Sequence, residues 1–190
     1  MKPRDEQKIQ QIYAATLKGV QERGLAGVTM SEIAREAGIA TGTLYIYFTS
    51  KEELINALYS ECRKSSAGVF FRGYSEQEPF KPGFRKIYFN IVRHRVEHFG
   101  EAIFMEQCYH SPFLSEATRE ESRKIMDPLY SLMERGKREQ LVKDLDIKLL
   151  LLYMVGTINE VVKQYHYNGK KITRQTTESI FKLCWDGIKV

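Results

Sequence analysis

Chemistry is first sought among the histidines and cysteines, and their spacing offers little of it. The four histidines have no Ser or Asp placed as a nucleophilic or acid-base partner set, and there is no GxSxG elbow, phosphate-binding loop or dinucleotide fingerprint. His94 and His98 lie four apart, as a helical metal pair would, but nothing in the sequence singles out a carboxylate or cysteine to complete a site, so no metal or other cofactor is expected. Cys62, Cys108 and Cys184 are far apart, with no CxxC pair, which excludes a zinc ribbon and makes disulfides unexpected. An enzyme is therefore not indicated. The residues that stand out instead are Thr41, Gly42, Thr43, Tyr45 and Tyr47, packed into one short segment. On a helix, Ile33, Ala34, Ile39, Leu44 and Phe48 can form a small core while those five remain outside. A polar and aromatic helix face left in water needs a partner.

The elements that must position this face are helical. Apolar residues recur three and four apart from end to end, and no run alternates with period two. A first helix is expected over about Asp5 to Arg23, with Gly24 as its stop. Thr29 and Glu32 have the spacing of a capping box, so a second helix starts there and ends before Gly38. A third follows over about Thr41 to Phe48 after only Gly38, Ile39 and Ala40, which gives a helix-turn-helix. Ser50 and Glu53 form a second capping box, opening a fourth helix that links two domains. A loop is expected over Arg72 to Gly83, then a helix from Phe84 to Gly100, a short one over Ala102 to Tyr109, and one over Ser115 to Lys137 bent at Pro128. The last two are expected over Asp146 to Tyr167 and Arg174 to Ile188, for about nine helices in an all-α protein.

Met30 to Leu54, MSEIAREAGIATGTLYIYFTSKEEL, resembles the DNA-binding signature of the tetracycline repressor (TetR) family. The ordered set Ile33-Ala34, Ala37-Gly38-Ile39, Gly42-Thr43-Leu44-Tyr45, Tyr47-Phe48 and Lys51-Glu52 carries it. The resemblance implies a three-helix DNA-binding domain over residues 1 to 50 and a helical ligand-binding and dimerisation domain over 51 to 190. It further implies that Thr41, Gly42 and Tyr45 contact the major groove, and that Ser31, Thr43, Tyr47 and Lys51 mainly contact phosphates. Ala40 departs from the pattern, since family members often have Ser there, and a lost hydroxyl cap costs about 1 kcal/mol. Residues 40 to 47 contain no Arg, Lys, Asn or Gln to grip guanine or adenine, so readout should lean on thymine methyls, Thr hydroxyls and DNA shape. Lys2 and Arg4 are placed to reach a minor groove or to remain a solvated tail.

Net charge does not carry the DNA argument. The chain has a formal charge of +5, but residues 1 to 60 hold seven Lys or Arg and seven Asp or Glu, a net of zero. The longest apolar run, Leu149 to Ile158, is shorter than the roughly 20 residues that span a bilayer, so a cytoplasmic protein with no membrane partner is expected.

For the second domain the resemblance implies a homodimer through the last two helices, and their excess of apolar residues agrees, including Phe181, Trp185 and Ile188. Gly156 is placed either for close approach of helices there or for ordinary packing. Aromatic and soft side chains gather between residues 88 and 113, the composition of an apolar pocket for a small hydrophobic or amphipathic effector. Candidate lining residues are Tyr88, Ile91, His94, Phe104, Met105, Gln107, Cys108, Tyr109, Phe113 and Tyr153, all equally suited to an ordinary core. The functional expectation is a repressor released from a palindromic operator by that effector; an activator, or a regulator controlled by a protein partner, stays open.

Overall fold

The computed structural model describes residues 5 to 190, and among them every regular element is a helix. The ten helices are α1 (Glu6–Gly27), α2 (Met30–Glu36), α3 (Thr41–Tyr47), α4 (Lys51–Phe70), α5 (Phe80–Glu97), α6 (Phe99–Tyr109), α7 (Glu116–Ile125), α8 (Asp127–Arg138), α9 (Ile147–Tyr167) and α10 (Arg174–Ile188). No described helix is long and apolar enough to cross a membrane.

The all-helical reading holds, and the differences from the expected limits have local causes. Gly24 does not stop α1: it takes φ 75° and ψ 162°, and the helix resumes beyond this kink to Gly27. The α5 helix starts at Phe80, inside the expected loop, because Pro82 falls in the first turn, where a backbone N–H has no helical acceptor and its absence costs nothing. Gly100 is the second residue of α6 rather than a stop, and the break falls at His98, with φ −119° and ψ 50°. Pro128 does more than bend a helix; α7 ends at Ile125 and Pro128 sits in the first turn of the separate α8, which raises the helix number to ten.

The chain divides into two compact units. One comprises the residues up to Lys64 together with Gly100–Ser122, and the other comprises Ser65–Phe99 with Arg123–Val190. The boundary expected at residue 50 thus falls inside the first unit. Its core gathers Ile12, Val20, Ile33, Leu44, Phe48, Leu54, Leu58 and Tyr59 with Phe104, Met105 and Cys108.

In the second unit α5 is the central helix, packed by α8, α9 and α10. Phe84 is fully buried, with its ring 5.8 to 6.3 Å from those of Phe80, Tyr88, Phe181 and Trp185. His94 is 1% exposed, edge-on to Phe70 and stacked on His98 at 4.6 Å. Burial, then the neighbouring His98 and Arg95 charges, pushes the His94 imidazole down from 6.5 to about 4. A depressed histidine is neutral in the folded state while the unfolded chain takes up its proton. Stability should therefore be full above pH 6.5 and fall as pH drops toward 4, by up to about 3 kcal/mol. Thermal melts from pH 7.5 to 4.5 should show that loss, and His94→Phe should remove most of its His94 share.

Candidate nucleic-acid interface

The first unit builds a rigid support under α3. The Thr29 hydroxyl accepts from the Glu32 backbone N–H at 3.3 Å, and the Glu32 carboxylate accepts from the Thr29 N–H at 2.9 Å and its hydroxyl at 2.7 Å. These hydrogen bonds from Thr29 hold the Glu32 carboxyl below its usual range. The turn after α2 closes through the Ile39 N–H donating to the Ala34 carbonyl at 3.0 Å, with Gly38 at φ 69°, where a side chain would be strained. Ala40 at the start of α3 supplies no side-chain cap, as its type dictates.

The α3 helix then separates two faces. Leu44, with no exposed surface, and Phe48, with 3%, enter the core. Thr41, Gly42, Tyr45 and Ile46 face solvent, while Thr43 and Tyr47 are half-buried. Tyr45 is 48% exposed and Ile46 78%. The exposure of Ile46 does not follow from its residue type, which is as common in cores; its place one turn beyond Gly42 is the only sequence signal of it. A Cβ added at Gly42 would meet nothing within 4 Å, so the fold does not demand glycine there. Gly42→Ala should therefore melt no lower than the wild type, and its extra methyl should weaken DNA binding about tenfold or more where backbone and DNA approach closely. Equal affinity by fluorescence anisotropy would mean that Gly42 makes no such approach.

The flanking residues are placed differently from one another. Ser31 is exposed, 3.3 Å from the Thr29 hydroxyl. The Lys51 amine donates to the Leu25 carbonyl at 2.7 Å and the Ala26 carbonyl at 3.4 Å, and lies 4.9 Å above the Phe113 ring. Burial lowers its pKa. In the free protein this amine thus closes the carbonyl end of α1. Lys2 and Arg4 lie outside the described residues.

This arrangement has the parts of a helix-turn-helix: a capped supporting helix, a tight glycine turn and an exposed second helix. Residues 12–58 match the family model for bacterial regulatory proteins of the tetR family, and residues 79–189 match that of the tetracyclin repressor-like C-terminal domain. The chain belongs to the TetR family. Like its relatives, this TetR-family protein is a DNA-binding transcriptional regulator and not an enzyme. It is 27% identical over 189 residues to the fatty acid metabolism regulator protein of Bacillus subtilis, covering 95% of each chain. Its fold is similar to a TetR family transcription regulator from Marinobacter aquaeolei (TM-score 0.89, 23% identity, 100% of this chain and 99% of that one). It is also similar to the transcriptional regulator FadR from Bacillus subtilis in complex with stearoyl-CoA (TM-score 0.71, 22% identity, 94% and 98%).

The ten effector candidates of this TetR-family chain fall into two groups. Phe104, Met105 and Cys108 are core residues of the first unit, where Gln107 accepts the Leu25 N–H at 2.7 Å beside the α1 kink. In the same unit Phe113 lies under Lys51, and Tyr109 is 44% exposed with Arg119 above its ring. Tyr88, Ile91 and His94 are buried within the second unit, and Tyr153 is 45% exposed. The Tyr88 hydroxyl and both ring nitrogens of His94 are buried with no hydrogen-bond partner in the protein. Desolvation pushes the Tyr88 hydroxyl pKa up and all three cysteine thiols to about 12, which leaves those thiols inert.

Proposed function

We propose that this regulator is a homodimeric repressor, cytoplasmic, that binds a palindromic operator through α3 and leaves it when a long-chain acyl-CoA binds its second unit. The observation that carries the DNA half of this reading is the unpartnered face of Gly42, Tyr45 and Ile46, held outward by the burial of Leu44 and Phe48. Thr41, Gly42 and Tyr45 are assigned to the groove, and Ser31, Thr43 and Tyr47 to phosphates; Lys51 would have to release the α1 carbonyls to join them. Two such faces one helical turn apart suit an inverted repeat.

The effector half rests on the second unit. A buried hydroxyl and a buried imidazole with no partner are costly unless something else satisfies them, and α5 presents both, Tyr88 against the rings of Phe84 and Phe181 and His94 against those of Phe70 and His98. An acyl thioester offers a carbonyl to such groups and a chain to the apolar walls. The similar fold of FadR with stearoyl-CoA and the related fatty acid metabolism regulator make acyl-CoA the first ligand to test. Binding there would bias α4, which contributes residues to both units, as a population shift.

The test has two stages. Sheared DNA from the source organism is captured by the purified protein at moderate salt and sequenced, which should return a few sites with inverted symmetry. Stearoyl-CoA should then release the recovered fragment, while free coenzyme A should not. Uniform recovery of all fragments would overturn sequence-specific binding, and a complex indifferent to stearoyl-CoA would overturn the acyl-CoA assignment.

A further inference from the structure

The α3 surface carries one feature that the hydroxyl and tyrosine contacts leave unexplained. Ile46 is 78% exposed, and among the described residues of the first unit the only other exposed large hydrophobic side chains are Tyr45 and Tyr109, both with less exposure. It lies four residues after Gly42 and next to Tyr45, so it projects from the outward side of α3. Its branched side chain has one strongly preferred rotamer in a helix, and so is held in place without any contact. No charged or amide side chain occurs anywhere in α3.

We infer that Ile46 is a specificity-determining residue that reads thymine through its 5-methyl group. The inference rests on the DNA-binding reading above. On the floor of the major groove, guanine, adenine and cytosine present hydrogen-bonding atoms, and thymine alone adds an apolar group. An isoleucine cannot pair with a donor or acceptor. Set against one, it would strip water from it and give nothing back. Against a methyl group it buries apolar surface on both sides. Ile46 therefore selects a T·A pair at its position in each half-site and disfavours C·G, whose amino group would lose its water.

The experiment uses the full chain and the recovered operator, with each thymine in turn replaced by deoxyuridine, which removes only the methyl group. For the wild type one position should cost roughly 4-fold per half-site, the worth of one buried methyl. Ile46→Ala should bind more weakly, be indifferent to deoxyuridine at that position, and lose its preference for thymine there. Because Ile46 is 78% exposed and contributes little to the core, that variant should melt within about 2 °C of the wild type, and Ile46→Val should retain most of the methyl effect. The inference fails if no deoxyuridine substitution weakens the wild type. It also fails if Ile46→Ala keeps the same methyl penalty, which would place the methyl contact on another residue. A wild type that binds no specific DNA would instead remove the DNA-binding reading itself.

Discussion

Tyr45→Ala is expected to lower operator affinity by at least about 100-fold while leaving the folded protein intact. The two halves of that statement have separate physical grounds. Tyr45 is 48% exposed, so truncation removes little from the core and should shift the melting temperature by no more than about 2 °C. An aromatic side chain at a docked surface supplies both contact area and a hydroxyl, and such residues dominate binding energies. Leu44, beside it, gives the contrast. It is fully buried, and Leu44→Ala should cost about 2 to 5 kcal/mol of stability, losing DNA binding by unfolding. Circular dichroism melts with anisotropy titrations separate the two. A folded Tyr45→Ala protein with unchanged affinity would mean that the α3 face is not the recognition surface. Tyr45→Phe should lie between, by the share of the hydroxyl.

The contrast between these neighbours shows what a linear sequence reveals and what it hides. The inward residues Ile33, Leu44 and Phe48 were legible because helical periodicity places apolar side chains on one side, and the capping box at Thr29 was legible because its geometry needs only residues three apart. Ile46 was not legible, because an exposed isoleucine and a buried one have the same letter. Lys51 illustrates a second limit. At the start of a helix, its position suits an anion, yet its amine reaches two carbonyls of α1 some 25 residues earlier, and nothing local encodes that reach. Gln107 and Phe104 show the same thing at longer range. Their composition suits a pocket, but the chain returns after Phe99 to complete the first unit, so these side chains finish its core and cap a kink instead.

The second large effect concerns assembly. On α9, Leu149 is 55% exposed, Leu152 53% and Tyr153 45%, and on α10 Leu183 is 67% exposed. Leu149, Leu152, Tyr153 and Gly156 follow the three-and-four spacing of one helical stripe, and a Cβ added at Gly156 would meet nothing, leaving that backbone open to a neighbour. Three leucines left in water on these two helices are a cost that a second copy would relieve, since an isologous contact sets the same stripe against itself. Leu152→Glu with Leu183→Glu would place four carboxylates in that contact, each without a partner and stripped of water. The wild type should therefore sediment at twice the 22.1 kDa chain mass, and the double variant at the single mass over micromolar concentrations. Both substituted side chains are already exposed in the single chain, so its core should be unaffected. Affinity for the full inverted repeat should fall by about 100-fold or more, while affinity for an isolated half-site should stay unchanged, because what is lost is the linkage of two α3 helices and not either helix. A double variant that remains a dimer would move the interface off α9 and α10. A wild type that is monomeric on its operator would remove the need for one.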